Sequence, residues 1–185
     1  MPSVKVDLSA LKQLGKSLKE ADSKNLQVGW FESAKYDDNT PVAAIAAQNE
    51  FGNPKLSIPA RPFIRPTVAE KQSHWEASMA ALAERVVNGS MSMDDALHSL
   101  GLLVSGHIKT AISQTSSPPL SPITIALRKH RNEGVKVGGR FVGAVASAIE
   151  AGETGAGQLG DQSFGNKDPL RDSGYMIASL THEVT

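Results

Sequence analysis

The sequence predicts an α+β fold: a small antiparallel sheet packed against a long α-helical hairpin, with an extended Pro-rich strap before the hairpin and a Gly-rich loop after it. Three observations predict it. Two helical stripes follow one another over residues 67–111 with only a short polar break between them. Alternating apolar residues stand near both ends of the chain, at Leu26, Val28 and Trp30 and again at Met176, Ala178, Leu180 and Val184. In between, prolines at 59, 62 and 66 fix their own φ and push Ile58, Arg61 and Arg65 toward extended backbone, so that residues 53–66 read as a stiff strap rather than a helix.

Taken in order, Leu11, Leu14 and Leu18 recur at helical spacing behind Ser9, which predicts a short amphipathic helix to about Ala21, weakened by Gly15. Leu26 to Phe31 then alternate as a strand with one buried face. Tyr36-Asp37-Asp38-Asn39 is a turn, and Thr40-Pro41 is a helix start, with Val42, Ile45, Ala46 and Asn49 on one side and Gly52 ending the helix at positive φ. After the strap, Thr67 opens the longest pattern: Val68, Trp75, Met79, Leu82 and Val86 lie on one stripe, and Asn88-Gly89 stops it. Ser92 caps the second helix, Asp94 and Asp95 sit in its positive first turn, and Leu97, Leu100, Val104, Ile108 and Ala111 form its stripe. The break is short enough to force an antiparallel hairpin. Ser116 to Pro122 read as an extended loop and Ile123 to Arg131 as a short helix. Residues 132–167 hold nine of the sixteen glycines and little periodicity outside Phe141 to Ile149, and they read as a mobile loop or an insertion. Asp168 to Val184 read as a turn and a strand.

A length of 185 residues suits a single domain with a proper core. The 19 basic and 19 acidic residues cancel, so no whole-molecule field attracts nucleic acid or anionic lipid. Cysteine is absent, which excludes disulfides, thiolate metal sites and a cysteine nucleophile. The N-terminus lacks the apolar run of a secretory signal, and no segment reaches the ~20 apolar residues of a membrane span. The sequence therefore predicts a soluble protein made in the cytoplasm with no membrane partner.

Asn49-Glu50-Phe51-Gly52 followed by Ile58-Pro59-Ala60-Arg61-Pro62-Phe63 resembles the signature of the tail-completion family of long-tailed bacteriophages, the minor tail protein Z type and its virion-morphogenesis relatives. Pro119-Leu120-Ser121-Pro122 with Thr124 and Ala126 is similar to its middle motif, and Pro169-Leu170-Arg171-Asp172-Ser173-Gly174 with Met176, Ser179 and Val184 to its C-terminal one. The resemblance spans residues 28–184, and the glycine-rich stretch is longer here than is usual in the family. It implies a structural virion protein of the neck, at the head-proximal end of the tail, that takes part in head-tail joining. It also implies a homo-oligomeric ring, with six copies the usual number, whose partners are the adjacent neck and tail proteins. A tail terminator or another neck ring protein is the nearest alternative.

No catalytic constellation, phosphate loop or dinucleotide turn is present, and no cofactor is implied. Histidines 74, 98, 107, 130 and 182 show no three- or four-residue spacing of the kind helical metal sites use, so no metal site is expected. Asp37 and Asp38 read as a solvated bend. Arg61 and Arg65 suit bidentate pairing with a carboxylate, either Glu50 of the same chain or an acidic face of a neighbouring copy. Phe63 reads as core or interface. Arg128, Lys129 and Arg131, with Lys136 and Arg140 beyond, form a solvated face or line a channel in passive proximity to DNA. A nucleic-acid-binding regulatory module is the reading of another class. The candidate interface set is thus Glu50, Phe51, Arg61, Phe63, Arg65, Arg128, Lys129, Arg131 and Asp172.

Overall fold

A computed structural model describes residues 22–132, 138–150 and 169–185, together with Lys12, Gly15, Lys16, Lys19, Gly134 and Lys136. Of the expected first helix, Lys12, Gly15, Lys16 and Lys19 are helical, as is Asp22, whereas its leucines lie outside the described residues. The architecture is α+β, a two-stranded antiparallel sheet laid on a long helical hairpin. Strand β1 (Leu26–Gly29) pairs with β2 (Thr181–Val184), Leu26 opposite Val184 and Val28 opposite His182. Two strands alone are marginal in water, so the sheet depends on what it rests against. That support is the second hairpin helix, which both strands contact.

The hairpin consists of α2 (Ile64–Val87) and α3 (Met93–Gln114). Ser92 caps α3 as expected, its hydroxyl oxygen accepting from Asp95 N at 3.1 Å, and Gly89 turns the corner at φ 73°. Among the described residues, two clusters of buried side chains form the core. One gathers Val42, Ala46, Phe63, Ile108, Ile112, Leu170, Met176 and Leu180 between the helices and the C-terminal segment. The other holds Val86, Met93, Ala96 and Leu97 at the hairpin turn, with Leu26 and Val184 of the sheet.

Several boundaries differ from the sequence reading, each for a physical reason. The long helix starts at Ile64 rather than Thr67, with Pro66 inside its first turn, where a missing N–H breaks no helical bond. The strap is extended only around Pro59 to Pro62, because Asn53 and Ile58 exchange backbone hydrogen bonds at 2.8 and 3.0 Å and close a 3-10 turn (Pro54–Leu56). Helix α1 (Val42–Phe51) begins after Pro41, and Asp38 rather than Thr40 braces its start by accepting from Thr40 N at 2.9 Å. Val68 is exposed on α2 instead of belonging to its buried stripe. On α3, Gly101 and Ser105 are buried between Leu97 and Ile108, and Leu100, Val104 and Ala111 are only half-buried. Helix α4 (Pro122–Asn132) is followed not by irregular chain throughout but by α5 (Gly139–Glu150), with residues 151–168 outside the described set. Finally, Tyr175–Ala178 form a helical turn, α6, so strand alternation fails there: Met176 and Leu180 are buried but Ala178 is exposed.

Gly101 is where sheet and hairpin come closest. A Cβ at this position would lie 2.4 Å from the His182 ring, so the side-chain-free position is what admits β2. A helix-interior glycine costs about 1 kcal/mol of helix propensity, which the packing of the sheet offsets.

Candidate functional site

The first block is a helix junction built on one carboxylate. Glu50 ends α1 and is 2% exposed. Its Oε2 accepts from the backbone N–H groups of Phe63 at 2.7 Å and Ile64 at 2.9 Å, and its Oε1 accepts from Arg65 N at 3.0 Å. These donors are the unpaired start of α2, and Pro66, next in line, has no N–H to satisfy. Glu50 therefore caps a helix other than its own, placing negative charge at the positive end of the α2 dipole. Desolvation pushes its carboxyl up, but hydrogen bonds from Ile64, Phe63 and Arg65 outweigh it and hold the carboxyl below its ordinary value of 4.5.

The arginines divide the remaining work. Arg65 Nε donates to Glu50 Oε1 at 3.0 Å, its Nη2 donates to the Glu50 carbonyl at 2.9 Å, and the guanidinium lies 4.9 Å from the Phe51 ring centroid. Arg61, 5% exposed, meets no carboxylate among the described residues. It donates to the carbonyls of Pro118 at 2.7 Å and Pro119 at 3.0 Å, tying the first block to the second. Burial, and then the nearby Arg128 charge, lowers its pKa. Phe63 is 1% exposed and meets the Trp30 ring edge-on at 6.1 Å. Gly52, at φ 74°, lets Ala60 N come within 2.8 Å of where a Cβ would stand.

Asp172 is the counterpart in the third block. It pairs with Arg131 and lies 3.4 Å from Arg128 Nε, while Arg128 NH2 donates to the Pro169 carbonyl at 3.0 Å. These guanidinium charges face a carboxylate and a carbonyl within the same chain. The Lys129 side chain lies outside the described residues.

The three blocks, separate in sequence, meet around one open cleft of about 1430 Å³. The first supplies Asn49, Ile58 and Arg61, the second Pro119, Ser121 and Thr124, the third Pro169, Asp172 and Tyr175. Of the candidate interface residues, Glu50, Arg61 and Phe63 are folded into the chain's own interior, while Phe51 (67% exposed) and the Arg65 side chain (59%) face outward. Sequence reasoning missed the tyrosines. Tyr36 and Tyr175 pack edge to face at 5.5 Å on the cleft wall, and burial first, then the Asp172 charge, raises the Tyr36 pKa. They are the only two tyrosines in the chain, and Tyr175 directly follows the third block. That adjacency was the available signal.

Among the described residues no group of three or more His, Cys, Asp or Glu side chains is placed to hold a metal ion, and no helix is long and apolar enough to cross a membrane. Fold and cleft define a class, a small α+β scaffold that gathers three loop blocks around one open groove. Comparison with protein-family models, with curated proteins and with solved structures finds no match.

Proposed function

We propose that this chain is a structural virion protein of a long-tailed bacteriophage, a tail completion protein at the head-proximal end of the tail that takes part in head-tail joining as a ring of identical copies. The observation that carries the reading is the meeting of residues 49–61, 119–124 and 169–176 around one cleft, since these segments carry the family resemblance. Their shared chemistry is positional. Glu50, Arg61 and Asp172 hold proline-bounded segments in fixed relation and leave other side chains outward.

Closing a ring requires a head-to-tail contact between two different surfaces of one subunit. One surface is the end of α1 and the strap that follows it, where Phe51 on the helix and Leu56 in the strap stand 67% and 62% exposed, large apolar side chains of the kind that mark interaction sites when grouped. The other is the cleft rim carrying Arg131 and Asp172.

Particles assembled without this protein are expected to accumulate as filled heads and separate, full-length tails; normal infectious virions in its absence refute the reading. At the level of the purified chain, Phe51→Glu is expected to keep the native circular dichroism spectrum and to abolish ring-sized species in sedimentation velocity. Unchanged assembly of that variant removes the exposed end of α1 from the interface.

A further inference from the structure

Histidines remote in sequence come together twice across the hairpin and sheet. In one pair His74 and His107 meet edge to face at 5.7 Å, and Trp75 Nε1 donates to His107 Nδ1 at 2.8 Å, so that nitrogen is already engaged. In the other, His98 on α3 and His182 on β2 present ring nitrogens directly to one another, Nδ1 to Nε2 at 3.1 Å.

We propose that His98 Nδ1 and His182 Nε2 form a two-histidine chelating site for a divalent late-transition cation of the Zn²⁺ or Cu²⁺ class, which clamps the C-terminal strand to the hairpin. The separation matches the bite of such an ion. With metal–nitrogen bonds of about 2.0–2.1 Å, nitrogens at this spacing subtend roughly 100° at the metal, between square-planar and tetrahedral angles. The neutral pair needs no net proton loss to bind. Whichever imidazole donates in the present hydrogen bond moves its proton to its other ring nitrogen, the exposed His98 ring turns so that both lone pairs converge on the ion, and water completes the coordination.

The site is held by the fold as well as by the two rings. Gly101 lies one turn beyond His98, and its missing side chain is the space that the His182 ring occupies, 2.4 Å from where a Cβ would stand. Register fixes the rest, because His182 opposite Val28 lies on the sheet face that rests on α3. The nearby cations are Lys109, whose charge reaches His182, and the second imidazole when protonated. Their repulsion leaves imidazole donor strength as the attraction, which selects borderline ions over Mg²⁺ and Ca²⁺, whose preferred ligands are oxygen.

Calorimetric titration of the untagged full chain with ZnCl₂ near neutral pH is expected to show one saturable site, with Cu²⁺ binding more tightly and MgCl₂ not at all. Loss of an outer-shell partner typically weakens metal sites 10–100-fold, so loss of a ligand should weaken this one by at least about tenfold. That weakening is expected in His98→Ala, a change that favours an exposed helix position, and in His182→Phe, which keeps a ring in the Gly101 gap. His74→Ala is expected to bind as the wild type does. Zn²⁺ should also raise the Tm of the wild type and leave that of His98→Ala unmoved. Wild-type affinity in folded His98→Ala, or no saturable binding by the folded wild-type chain, overturns the proposal.

Discussion

Glu50 and Asp172 each pair with arginine and fasten a proline-bounded block, and they do so in opposite surroundings. Glu50 is 2% exposed and receives three backbone N–H groups as well as Arg65, whereas the Asp172 side chain is 33% exposed and pairs with Arg131, itself 55% exposed. Water stabilises Asp172 and Arg131 when that pair opens, and the more buried Arg128 keeps its hydrogen bond to the Pro169 carbonyl, so little is lost. Opening the Glu50 junction strands the N-terminal donors of a 24-residue helix in a closed interior. The same ion-pair chemistry therefore differs in value according to what each carboxylate leaves unsatisfied.

The largest expected effect comes from breaking the buried side of the comparison. Glu50→Ala is expected to lower the unfolding free energy by about 3 kcal/mol, read from urea denaturation, since one buried and two half-buried backbone donors lose their acceptor together. Acid provides a second route to the same junction. Because the folded-state pKa of Glu50 lies below its ordinary 4.5, its contribution is complete above that value and is lost as pH falls through the folded-state pKa. Glu50→Gln should consequently flatten the stability profile below about pH 4.5. An unchanged acid limb would contradict the capping role.

Arg61→Ala should rank next, at about 2 kcal/mol, because hydrogen bonds from a charged donor to the Pro118 and Pro119 carbonyls are removed from a buried setting. Increased proteolysis of residues 116–122 in that variant would show that the second block has come away. Asp172→Asn should cost less than about 1 kcal/mol, and high salt should erase most of the difference. If Asp172→Asn proved as damaging as Glu50→Ala, exposure would not be what separates the two sites.

The elements were largely legible in the sequence, because stripes such as Met79, Leu82 and Val86 and the Ser92 cap are local signals. Pro66 was not. A proline before a long helical pattern reads as a boundary, and only the capped first turn of α2 shows that it lies inside. Gly139–Glu150 was obscured by surrounding glycines, although Phe141, Val142, Val145 and Ile149 carry helical spacing. At the candidate site, Glu50 and Arg61 were recognisable as residues of interest. Their roles were not, since an arginine's sequence context does not say whether it will meet a carboxylate or two carbonyls. The histidine pairs escaped for a related reason: a search for helical spacing sees one element at a time, and His98 and His182 lie 84 residues apart.

The amino-acid order alone determined the strand at Leu26, the helix after Pro41, the two hairpin helices and which short blocks stand out, because backbone preference and hydrophobic period act over a few residues. The tertiary structure decided that Glu50 caps a helix beginning 14 residues later, that Arg61 reaches carbonyls 57 and 58 residues away, and that three blocks meet around one open cleft. Those outcomes depend on how whole elements stack and on which buried polar groups must find partners, a global packing condition that no local stretch of chain contains.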